Sequence, residues 1–161
     1  MSVLLGLDQS TKTGYAVCDA ATGEIITSGH YNVKSADGKR LSAGAAFNRF
    51  EHWLEALLEE HAPVLVVFEQ PHFQGYSATV ELVGFVAIIL KVCASHNIAV
   101  DSVHTSTLKK FATGNGRADK GDMTSAAEKI IGRALSVVDD NDEADAIHLV
   151  RWGFEQCRKK R

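Results

Sequence analysis

The chain has 161 residues, 45% of them hydrophobic, two prolines and a net charge of −3. This is enough for one packed domain and too little for two, and it excludes a disordered chain. Cys18, Cys93 and Cys157 are scattered without a CxxC pair, which excludes a disulfide framework and a zinc knuckle and predicts free thiols, buried or half-buried. The first apolar run is too short for a signal peptide, and the longest, Leu82 to Ala94, is interrupted by Lys91 and too short to cross a bilayer. A soluble cytoplasmic protein is expected.

Residues 3–8 and 13–18 read as strands joined by the polar turn Gln9-Ser10-Thr11-Lys12, and 24–33 as a third strand after Gly23. From Leu41 to His61, apolar residues recur at helical spacing until Pro63 stops them. The β-branched run Val64–Phe68 leads into Glu69, and a helix over 77–96 is apolar on most faces. Ile98 to His104 reads as a further strand, followed by the glycine-rich loop 113–116 and a helix over 121–133. The last helix begins near Asn141, with Asp140 and Glu143 spaced as a capping box. Three strands followed by alternating helices and strands predict one α/β domain, a mixed sheet with helices on its faces.

Four acids stand out against this framework. Asp8 and Glu69 each end an apolar strand, and Pro71 turns the chain out of the sheet just after Glu69. Asp142 and Asp145 lie three apart on one helix face. A carboxylate at the end of a buried strand has lost hydration that a cation can restore, and hard divalent ions favour such an oxygen-rich, negative setting. His148, three residues further on, reads either as an additional ligand or as a core histidine. Two Mg²⁺ ions about 4 Å apart can activate water and stabilise the leaving oxygen of a phosphodiester. The basic residues Lys109, Lys110, Arg117 and Lys120 cluster nearby in sequence, and Arg158-Lys159-Lys160-Arg161 closes the chain. Basic loops around an acidic site suit chemistry on a polyanion, with Lys110 and Lys120 the first candidates for backbone contact.

These residues carry a family resemblance. The stretch Leu5-Gly6-Leu7-Asp8 with Thr13-Gly14-Tyr15-Ala16 resembles the first motif of the RuvC-type Holliday junction resolvases, Phe68-Glu69-Gln70 the second, and Asp142-Glu143-Ala144-Asp145-Ala146 the last. The segment from Leu108 through Lys109-Lys110 to Gly114-Asn115-Gly116-Arg117-Ala118-Asp119-Lys120 is similar to the family's basic, glycine-rich DNA-binding segment. The resemblance implies an RNase H-like fold with a mixed five-stranded sheet. It also implies catalytic metal ligation by Asp8, Glu69, Asp142 and Asp145, with Mg²⁺ as cofactor and Mn²⁺ able to replace it. DNA contact falls to Lys110 and Lys120, with Lys109 and Arg117 beside them. Phe73, with Tyr76 second, stands for the family's aromatic that contacts bases near the crossover, although Pro71-His72 shifts the spacing. The chain's brevity fits the bacteriophage versions, acting in a bacterial cell or an infected host.

Cutting two strands symmetrically with one site per chain implies a two-fold homodimer acting on branched DNA. The apolar helix 77–96, through Leu82, Phe85, Ile89 and Val92, is the candidate interface, or else a central helix buried within one subunit. Three other functions compete. An RNase H-like nuclease for RNA, hybrids or other branched DNA would share the metal chemistry. A non-catalytic junction-binding protein would have no use for four acids. The first motif also resembles the phosphate-binding turn of actin-like ATPases, which need two such domains where this chain has room for one.

Overall fold

The computed structural model describes residues 1–160; Arg161, the end of the terminal basic group, lies outside the described residues. The chain opens with β1 (Val3–Asp8), β2 (Lys12–Asp19) and β3 (Ile25–Asn32), an antiparallel meander. In the first turn Thr13 Oγ1 donates to the Ser10 carbonyl at 2.6 Å and Ser10 Oγ to the Lys12 carbonyl at 2.7 Å. Helix α1 (Ala43–His61) starts at Ser42, whose hydroxyl accepts from the Ala45 amide, and stops at Ala62 in the left-handed region just before Pro63. Then follow β4 (Leu65–Glu69), α2 (Tyr76–Ser95), β5 (Ala99–Val103), α3 (Thr105–Thr113), α4 (Lys120–Ile131) and α5 (Asn141–Lys159).

The five strands form one mixed sheet in the order β3-β2-β1-β4-β5, with β4 parallel to both β1 and β5. Side chains alternate across a strand, so Leu5, Leu7, Val17, Val66 and Phe68 face one way. There they pack with Phe50, Leu54 and Leu58 of α1 and Phe85, Ile89 and Val92 of α2. Leu4, Ala16 and Cys18 face the other way, onto Ile147, Val150 and Phe154 of α5. Val67 and Val103 join Leu108, Met123 and Leu149 in a further cluster under α3 and α4. The sheet is therefore covered by helices on both faces.

The same alternation decides where the acids go. Leu4, Gly6 and Asp8 share the α5 face of β1; Leu65, Val67 and Glu69 share that face of β4. The parallel register sets Leu7 beside Phe68, so the two strands deliver Asp8 and Glu69 side by side at their carboxyl ends. Helix α5 then comes down on the sheet at backbone contact. A Cβ added to Gly6 would lie 2.5 Å from the Ala146 carbonyl oxygen, and one on Gly14 would lie 1.8 Å from that of Asp142. Only glycine permits this approach.

Three features differ from the sequence reading. The segment Thr105–Thr113, to which the sequence assigns no element before the loop at 113, is a short helix capped by the His104 ring and closed by Gly114 at φ 82°. The capping box expected at Asp140 and Glu143 does not form. Asp140 instead accepts from the Ser136 amide at 2.8 Å, while Glu143 is buried, accepting from Ser28 Oγ at 2.6 Å and pairing with Arg133. Ser28 and the guanidinium satisfy a buried carboxylate better than a half-exposed helix end does. A capping box forms at α4 instead, between Asp119 and Asp122.

The third difference concerns α2, which is 20 residues long and passes the length and composition test for a membrane span. Its Phe85, Ile89 and Val92 are core residues, so these three cannot form an outer interface, while Leu82 is half-buried. The exposed apolar residues are Tyr76, Val80, Val83, Ala87, Leu90 and Ala94. The cysteines match expectation: Cys18 and Cys93 are buried and Cys157 is half-buried, all free.

Gly14→Ala should lower unfolding stability by about 3 kcal/mol, because the added methyl meets helix backbone that cannot yield. Gly44→Ala, where a Cβ meets nothing within 4 Å, should leave stability unchanged or slightly raised. Paired urea titrations test both; equal midpoints would refute the close-approach argument.

Candidate active site

The four acids meet where β1 and β4 end against the start of α5. Asp8, Glu69 and Asp142 line a cavity of about 210 Å³ together with Gln9, Ser10, His72 and Gln74. Glu69 and Asp145 line a second, of about 250 Å³, with Thr105, Lys109 and Lys120. Glu69 and His72 belong to both, so the carboxylates follow a trough rather than surround a single point. Thr105 Oγ1 donates to Glu69 Oε1 at 2.7 Å, fixing that carboxylate from the start of α3. Gln9 Nε2 donates to the Glu69 carbonyl at 2.7 Å and so ties the ends of the two parallel strands together.

Burial and mutual repulsion govern the charges. Burial first, then the charges of Asp145, Glu69 and Asp142, hold Asp8 well above the usual carboxylate range. The neighbouring Asp142 side chain adds to the rise at Asp8. Asp142 is also raised, chiefly by burial, with Lys12 and Lys120 opposing. Asp145 is pushed up to about 7 by burial and by Glu69 and Asp142, against the pull of Lys109 and Lys120.

The donor set fits a hard divalent cation. Carboxylates that resist ionising together are relieved when a dication binds, and the four acids offer it only oxygen atoms. The buried Gln9 Oε1 has no partner among the described residues, an acceptor suited to a water in the first cavity. His30, Asp140 and Glu143 also bring ligand atoms within 4.8 Å of one another. There, however, the Arg133 guanidinium already neutralises Glu143, which disfavours a cation.

The remaining sequence candidates divide. His148 is buried, its Nε2 donating to the Met123 carbonyl at 2.8 Å, and burial lowers its pKa. It is the core histidine of the two readings. Lys109 and Lys120 line the second cavity; Lys110 and Arg117 are exposed on α3 and the loop after it and line neither cavity. Phe73 and Tyr76 are 81% and 83% exposed, on the segment leaving Glu69 for α2. Sequence reasoning passed over Gln9, His72, Thr105 and Lys12. Lys12 Nζ lies 3.8 Å from Asp142 Oδ2 and donates to the Asp139 carbonyl. Its one sequence signal was a cation in the turn following a strand-end acid.

A raised carboxyl pKa favours the protonated fold. The stability it contributes is fully present below the unfolded value near 3.8 and is lost as pH rises through the folded value, here about 7 for Asp145. Without divalent cation, Asp145→Asn should therefore raise the melting temperature by roughly 5 °C at pH 8 and by almost nothing at pH 3.5. Calorimetry at the two pH values checks this, and destabilisation at pH 8 would contradict it. Cation affinity should fall as pH drops below about 7.

Known proteins resemble this chain along most of its length. A family model, "Crossover junction endodeoxyribonuclease RuvC", matches residues 4–150. The curated protein of that name from Nocardioides sp. is 31% identical over 150 residues, spanning 91% of this chain and 82% of the relative. That of Rickettsia conorii is 26% identical over 151 residues, spanning 91% and 93%. Thermus thermophilus RuvC in complex with a Holliday junction substrate superposes with a TM-score of 0.77 at 15% identity, over 98% of this chain and 96% of that one, which establishes the expected RNase H-like fold. From a family match that covers residues 4–150, it follows that this chain belongs to the crossover junction endodeoxyribonuclease RuvC family.

Proposed function

We propose that the chain is a single-domain, metal-dependent endonuclease that resolves four-way DNA junctions by paired, symmetric phosphodiester hydrolysis. The observation that carries this reading is the trough of Asp8, Glu69, Asp142 and Asp145 in a chain of this family. These four would hold Mg²⁺, with Mn²⁺ as substitute and two ions per site. When bound, such ions supply a nucleophilic water and stabilise the leaving oxygen. The protein's own groups do the positioning: Thr105 orients Glu69, and Gln9 fixes the spacing of the two strand ends.

Lys109 and Lys120 would meet the phosphate nearest the site, with Lys110 and Arg117 extending the contact. These local cations let a chain of net charge −3 bind a polyanion, with strong salt dependence. Phe73 and Tyr76, the exposed aromatics beside the trough, are suited to stack on bases unpaired at a crossover. The reaction belongs to the cytoplasm of a bacterium or of a phage-infected host.

Symmetric cutting requires two sites related by a two-fold axis. The exposed stripe Tyr76, Val80, Val83, Ala87, Leu90 and Ala94 on α2 advances in steps of four and three, the spacing of a helix seam. A second copy is its occupant in this reading.

With Mg²⁺ the protein should place paired nicks in a labelled four-way junction while sparing linear duplex and RNA–DNA hybrid, and EDTA should abolish cutting. Asp145→Asn should still bind the junction but cut it slower by on the order of 10²–10³. Val83→Glu with Leu90→Glu should sediment as a monomer and lose the pairing of nicks. Preferential cutting of the hybrid would reassign the substrate, and binding without any cutting would favour a junction-binding protein.

A further inference from the structure

Among the described residues, one ion pair is made to the four site carboxylates, and Lys12 makes it. The backbone of Lys12 is fixed on every side. Its N–H donates to Ser10 Oγ at 3.2 Å, its carbonyl accepts from the same hydroxyl at 2.7 Å, and it pairs with Asn32 of β3. Two residues on, Gly14 packs against the backbone of Asp142. Only the side chain is free to move, and it reaches the first turn of α5, where the helix dipole disfavours a cation. The ammonium is held there by the Asp139 carbonyl and by Asp142, a carboxylate that lines the trough beside Asp8. Lys120 and His30 also act on Asp142, without an ion pair to it.

An ammonium this near a ligand oxygen occupies part of the space and neutralises part of the charge that a dication would use. Lysine suits a removable counter-ion, being a point charge on a flexible four-carbon stem. We propose that Lys12 is the resident counter-ion of the centre: it holds Asp142 while no divalent cation is bound, and a cation that takes Asp142 as ligand must displace it. Lys12 is then a positioning residue that sets the cation concentration at which the site fills. The inference rests on the reading of the four carboxylates as a divalent-cation site.

A structural staple and a competitor have opposite signatures. If Lys12 merely pins the β1–β2 turn to α5, removing it loosens the site and weakens metal binding. If it competes, removing it strengthens binding. Calorimetric titration of the DNA-free protein with Mn²⁺ separates them. Lys12→Met should bind Mn²⁺ roughly fivefold more tightly than wild type, the scale of a half-exposed ion pair, and Lys12→Arg should stay within about twofold of wild type. Should Lys12→Met fail to fold, Lys12→Gln serves the same comparison. Affinity in the neutral variant equal to or weaker than wild type overturns the displacement while leaving the metal reading intact. No Mn²⁺ binding by wild type or variant overturns the metal reading and this proposal with it.

Discussion

Everything at this site depends on how closely α5 approaches the sheet. Four carboxylates repel one another, and nothing in their own chemistry brings them together. What brings them together is backbone contact at Gly6 and Gly14, where a methyl group would collide with carbonyl oxygens of α5. Ala146, Ile147 and Val150 seal the contact with apolar area. Hydrophobic burial therefore sustains an electrostatic arrangement that is unfavourable on its own. Stability given up at a functional centre is offset by the packing around it.

The charges are layered to match. Nearest the trough, Lys12, Lys109 and Lys120 temper the carboxylates without removing their negative character. Further out, Lys110 and Arg117 point into solvent, with the exposed rings of Phe73 and Tyr76 on the other connection. A net charge of −3 thus conceals a division of labour, acids inside the trough and bases along its rim. Glu143, the one fully buried acid of the last motif, stays out of this economy because Ser28 and Arg133 satisfy it.

The local signals in the sequence were strong where one element decided the outcome. Asp8 and Glu69 were legible because each ends an apolar run, and Pro71 marks where the second leaves the sheet. Asp142 and Asp145 were legible from a spacing of three. The adjacency of the two strand ends was not, because the β1–β4 register joins residues some sixty apart. Short-range rules also failed where tertiary partners compete: the spacing at Asp140 and Glu143 is that of a capping box, yet Glu143 is drawn to the sheet. Helix α3 was missed because nine residues hold too few turns for a period to emerge. On α2, apolar residues on nearly every face left no pattern to separate core from outer stripe, and Phe85, Ile89 and Val92 follow the buried-helix reading. Between the two roles open to His148, only the Met123 carbonyl could decide.

The central claim is that the fold holds these four carboxylates ready as a divalent-cation centre. Anomalous diffraction from crystals grown with Mn²⁺ tests it most directly. The account predicts manganese between Asp8, Glu69, Asp142 and Asp145, with the backbone of β1, β4 and α5 unmoved from its metal-free course. Manganese seated at His30, Asp140 and Glu143 instead, or a site that assembles only through a shift of α5, would contradict it.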